Sequence, residues 1–163
     1  MSAMGRHSLL GLIGWLVLAY AASAIGAIAS VEAAAFYGQL VQPPWAPPPW
    51  LFGPVWTVLY TMMGVAAWFV WREGGVAANR VALALFLLQL GLNALWSWLF
   101  FTWNLGGIAF AEILVLWAFI LATLIAFWKV RTVAGALLVP YLLWVTFAAM
   151  LNYTLWQQNP QVL

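Results

Sequence analysis

Pro43-Pro44-Trp45-Ala46-Pro47-Pro48-Pro49-Trp50-Leu51-Phe52-Gly53-Pro54-Val55-Trp56 is a stiff, uncharged, aromatic segment between two long apolar runs. Proline fixes φ and removes N–H donors, so the segment is expected to be neither helix nor central strand. Yet it carries Trp45, Trp50 and Trp56, whose large rings are costly to leave in water. A rigid apolar loop beside apolar runs predicts a lid or wall over a binding cavity.

The flanking runs set the class. The chain has 163 residues, 67% hydrophobic and 5% charged. Ordinary soluble domains are about 45–50% apolar and about 25% charged. No soluble fold covers such a surface, so the solvent of this chain is lipid. The apolar runs are residues 9–29, 54–71, 81–103, 108–128 and 133–156. A bilayer core about 30 Å thick needs about 20 helical residues, and each run meets that length. None alternates with period two, and an open sheet facing lipid leaves backbone groups unpaired, so helices follow. The expectation is one all-α domain over residues 1–163, an integral membrane bundle of five transmembrane helices.

Short polar breaks separate the later runs: Arg72-Glu73-Gly74-Gly75 with Asn79-Arg80, Asn104-Leu105-Gly106-Gly107, and Lys129-Val130-Arg131-Thr132. The first connection, residues 30–53, is far longer. Loops of that length are usually functional or disordered, and its proline and aromatic content argues against disorder. In a five-span chain Arg6, Arg72, Arg80, Lys129 and Arg131 all fall on one side. Positive charge concentrates on the cytoplasmic side. The N-terminus is therefore expected inside and the proline–tryptophan loop outside. A second reading of the first run is a signal peptide ending near Ala27-Ile28-Ala29-Ser30. Its apolar stretch exceeds the usual 7–15 residues, which favours a retained helix.

Composition also excludes chemistry. There is no Cys, hence no disulfide, thiolate metal site or Cys nucleophile. The one histidine, His7, lies in the N-terminal tail, so no histidine within a span ligates haem. No carboxylate pair, phosphate loop or metal-ligand spacing is present, and neither a metal nor another cofactor is expected. A net charge of +2 with scattered carriers does not suit nucleic acid.

Gln89, Asn93 and Ser97 stand at i, i+4 and i+8, on one helix face. Amides in a span need partners, so that face is expected inward, Gln89 and Ser97 as interhelical glue. Trp56 and Tyr60 share a face of the second span, with Gly64 and Ala67 beyond. Trp144, Ala148 and Asn152 share one of the fifth. Trp and Tyr near span ends commonly anchor at the interface, and Trp71, Trp103, Trp117, Trp128 and Trp156 are read that way. Trp56 and Trp144 differ in having small neighbours that leave room for a flat ligand to stack. Glu112, the one acid inside a span, is expected to be structural and solvated near the interface. Pro140 removes one helical hydrogen bond and is expected to kink the fifth span.

Together these residues form a pattern: Tyr37-x-x-Leu40, Pro43-x-Trp45-x-Pro47-Pro48, Phe52, Trp56-x-x-Leu59-Tyr60 and Gly64. Asn93-x-x-Trp96-Ser97-x-x-Phe100-Phe101 follows, then Pro140-Tyr141-x-x-Trp144-x-x-x-Ala148-x-x-Leu151-Asn152. From about Tyr37 to Asn159 the chain resembles the translocator protein family, also called tryptophan-rich sensory proteins (TspO). The resemblance implies a five-helix bundle, usually a homodimer, that binds protoporphyrin IX and related tetrapyrroles. Benzodiazepine- or isoquinoline-type ligands and, in some members, sterols are further partners besides the lipid bilayer.

Carried over by motif, the ligand-binding residues are Pro47, Phe52, Trp56, Tyr60, Asn93, Trp144 and Ala148. The implied function is tetrapyrrole sensing, regulation or transport. The alternatives are sterol or lipid translocation and light-dependent porphyrin degradation, for which Trp56 and Trp144 are the catalytic candidates. Tyr153 is followed by no Lys or Arg, a departure from the cholesterol motif of animal members, itself a weak pattern. The implied location is a bacterial cytoplasmic membrane, with outer membranes as the alternative.

Overall fold

A computed structural model describes residues 3–163, with side chains from His7 onward; the Arg6 side chain lies outside that description. Five long helices form a bundle: α1 (Ala3–Ala29), α3 (Phe52–Arg72), α5 (Arg80–Ser97), α6 (Gly106–Val130) and α7 (Thr132–Gln158). Two short helices, α2 (Ala33–Gln39) and α4 (Gly75–Ala78), lie in the connections. All five long elements are apolar and long enough to cross a bilayer. Leu10, Val17, Leu88 and Leu143 are among many large apolar side chains on the outer surface. Water would penalise that surface, whereas acyl chains match it.

The helices close into a ring. α3 packs between α1 and α7, α6 between α7 and α5, and α5 returns to α1. The core is apolar and aromatic, with Met63, Phe86, Ile120 and Phe127 fully buried. The Phe86 and Phe127 rings stack at 5.7 Å between α5 and α6. Gly64 lets α3 meet α1: a Cβ there would stand 3.1 Å from the Leu16 backbone. The Trp68 indole donates to the Ser8 carbonyl at 2.8 Å and ties the same two helices at the other end.

Arg72, Arg80, Lys129 and Arg131 gather at one end of the bundle, where Arg131 pairs with Glu73 at 2.6 Å. Gly74, at φ 118°, makes the left-handed turn into α4 there. At the opposite end the connection from α1 to α3 folds over the bundle.

The second span corrects one expectation. The 43–56 segment is not wholly loop: a 3-10 turn covers Pro49–Leu51 and α3 begins at Phe52. Pro54 sits in the first turn of α3, where helical N–H groups have no partner anyway. Trp56 is a helix residue, as its place in the 54–71 run implies. α7 runs through Pro140 without interruption.

Candidate functional site

A cavity of about 440 Å³ lies beneath the folded connection, bounded by α1, α2, α3, α5 and α7. Phe52, Trp56 and Tyr60 enter from α3, Asn93 from α5, and Trp144 and Ala148 from α7. The i, i+4 spacing on α3 and α7 brings these residues to one side. Of the seven residues expected from the sequence, these six line the cavity. Pro47 does not; it is buried behind the wall, where its carbonyl accepts the Tyr37 hydroxyl at 3.1 Å. Pro49 is the proline that faces the cavity.

The aromatic rings meet edge to face. Trp56 and Trp144 are 6.5 Å apart at 89°, and Phe52 meets Trp144 at 6.0 Å and 71°. Because the two indoles are perpendicular, one flat ligand cannot stack on both. It stacks on one and meets the edge of the other, the two favoured aromatic geometries. The Trp144 Nε1–H is buried and has no acceptor. Most buried donors in native proteins are partnered, and this one is an exception.

Other cavity residues were not singled out as ligand contacts. Trp96 lies against Phe100 at 5.2 Å, nearly parallel, and donates to Asn152 Oδ1 at 3.0 Å. Asn152 in turn donates to the Gly106 carbonyl at 3.0 Å, joining α5, α6 and α7. After α5 the backbone widens into a π turn over Trp98–Thr102. π turns shift helical register by one residue and recur at functional sites. Here Phe100 and the adjacent Phe101 both reach the cavity. From α1 come Ser23, Gly26 and Ala27, with Ser30 just past its end. Their spacing marks one helical face of small side chains, a signal available in the sequence.

The roof is fastened at two points. Tyr37 is buried, which pushes its hydroxyl above the ordinary value of 10.0 and keeps it a donor. Gln42 donates its side-chain amide to the Tyr37 carbonyl. Farther along, Val41 N–H donates to Asn159 Oδ1 at 2.8 Å while Asn159 Nδ2 returns a bond to the Val41 carbonyl at 2.9 Å. This two-bond clasp joins the roof to the end of α7. Trp45 packs against Phe147 at 5.9 Å, whereas Trp50 projects outward, 71% exposed.

Glu112 corrects a second expectation. Both carboxylate oxygens are buried and unpartnered. The acid is therefore not a solvated group at the interface, and it does not line the cavity. No group of three or more His, Cys, Asp or Glu side chains lies together among the described residues.

The TspO/MBR family model matches residues 14–157, nearly the whole described chain. The chain belongs to the TspO/MBR family. Among its TspO relatives, the tryptophan-rich protein TspO of Chlorobaculum tepidum is 46% identical over 129 residues, 77% of this chain and 80% of that protein. The sheep translocator protein is 43% identical over 126 residues, 76% and 75% of the two chains. The tryptophan-rich sensory protein of Cereibacter sphaeroides is 40% identical over 124 residues, 76% and 80%. Together with the five apolar helices, TspO membership makes this an integral, multi-pass membrane protein.

Proposed function

We propose that the protein binds flat hydrophobic molecules, porphyrins such as protoporphyrin IX foremost, in tetrapyrrole sensing, regulation or transport. The observation that carries this reading is the roofed aromatic cavity walled by Phe52, Trp56 and Trp144. Its volume falls within the range of about 300–1,000 Å³ common for small-molecule sites. Its walls are apolar rings, with few polar groups to orient a guest. The names of the relatives, sensory protein and translocator protein, fit either sensing or carriage of such a guest.

In this reading the ligand stacks on one of the Trp56 and Trp144 indoles and meets the edge of the other. Each aromatic pair adds about 0.5–1.5 kcal/mol beyond area burial. Tyr60 and Asn93 supply polar contacts at the rim of the ring. The basic end of the bundle faces the cytoplasm and the roof faces the opposite side, following the positive-inside tendency. A homodimer in a bacterial cytoplasmic membrane is the proposed setting.

Titration with protoporphyrin IX tests the site, read by quenching of tryptophan fluorescence. The Trp56→Phe, Trp144→Phe double variant is expected to bind about ten-fold more weakly, the loss of roughly 1.4 kcal/mol. Affinity equal to that of the parent protein would place the ligand elsewhere.

A further inference from the structure

Behind the cavity runs a buried chain of hydrogen bonds that has a direction. Gln89, Tyr141 and Asn93 are 1%, 1% and 3% exposed, and Met63 is fully buried beside them. Gln89 directs its Nε2 amide at the Met63 sulfur, 3.8 Å away. A thioether accepts hydrogen bonds and cannot donate one. Turning the Gln89 amide over would set oxygen against sulfur, two acceptors. Gln89 therefore offers its Oε1 to Tyr141, whose hydroxyl donates to it at 2.7 Å. That hydroxyl has one proton, so toward Asn93 it can only accept, and Asn93 Nδ2 donates to it at 2.8 Å.

The amide of Asn93 is thereby fixed. Asn93 lines the cavity, and its Nδ2 is committed to Tyr141. Among the described residues, Asn93 Oδ1 makes no hydrogen bond within the protein, yet it is not one of the fully buried atoms left without a partner. It opens on the cavity. We infer that Tyr141 is a positioning residue that holds the Asn93 carbonyl toward the cavity, selecting flat ligands that carry an outward N–H or O–H donor. The inference rests on the reading of the cavity as a flat-ligand site. The guest it suits carries a donor on its rim. A porphyrin keeps its pyrrole N–H groups inside the ring, so only a peripheral carboxyl in its protonated form serves as donor.

Carbazole and 9-methylcarbazole form a suitable probe pair: both are rigid and flat, and only the first has an outward N–H. Calorimetric titration of the full chain in lipid nanodiscs is expected to show carbazole binding about three- to ten-fold tighter, the worth of one hydrogen bond. Tyr141→Phe should bring that ratio close to one while leaving 9-methylcarbazole affinity unchanged, which shows the cavity intact. Met63→Leu, which frees Gln89 to turn, should reduce the ratio. A parent ratio near one, or a ratio unmoved by Tyr141→Phe, overturns the relay while leaving the flat-ligand reading in place. A ligand-free measurement separates the two claims further. In protein labelled with 15N-asparagine, the Asn93 side-chain resonance should move in both Tyr141→Phe and Met63→Leu. An unmoved resonance overturns the relay whatever the protein binds.

Discussion

Glu112 is the side chain least suited to its surroundings. A buried polar group without a partner costs about 1–3 kcal/mol, more when charged. Replacing it with an apolar residue of similar size removes that penalty. Glu112→Leu is expected to raise the thermal midpoint in detergent, by the equivalent of about 1–3 kcal/mol, with Glu112→Gln close to the parent. A lowered midpoint in the leucine variant would mean that the carboxyl has a stabilising partner. The sequence made Glu112 conspicuous and misjudged its setting, because depth along a helix does not say which way a side chain turns. The same limit applies to Pro47. Proline spacing marked the wall, but whether Pro47 or Pro49 faces inward depends on the Tyr37 hydrogen bond across ten residues. Asn93 was legible as an inward amide from its i, i+4, i+8 stack. Its partner Tyr141, 48 residues away, was not, since spacing along one helix does not reveal a contact from another.

The spans were legible because lipid imposes a length that a hydropathy reading detects directly. α3 was the exception at its start, since proline is costly inside a helix and welcome in its first turn. The roof is the element that decides access. Its clasp to α7 consists of the two Val41–Asn159 hydrogen bonds, and Asn159 further donates to the Leu155 carbonyl at 2.8 Å. Asn159→Ala removes the side-chain half of that clasp. Local opening of the roof should become easier by about 1–3 kcal/mol, seen as faster amide hydrogen exchange over residues 40–48 and faster ligand release. Exchange unchanged from the parent would mean that Tyr37 and the apolar packing hold the roof alone.

For the molecule as a whole, the bundle separates two jobs. One end gathers the cations and the short turns; the other carries the roof and the cavity. The absence of native cysteine allows a clean test of which end is which. Trp50→Cys and Val76→Cys place single thiols at exposed positions on the roof and in α4. In intact cells a membrane-impermeant maleimide should label the Trp50 variant, and the Val76 variant only after permeabilisation. The reverse pattern would invert the proposed orientation. The central claim is that the cavity under the roof holds a flat hydrophobic guest between perpendicular indoles. The most direct measurement is the protoporphyrin IX titration of parent protein beside the Trp56→Phe, Trp144→Phe double variant. The account predicts saturable quenching in the parent and about ten-fold weaker binding in the variant. Equal affinity in the two proteins, or no saturable binding by the parent, would contradict it.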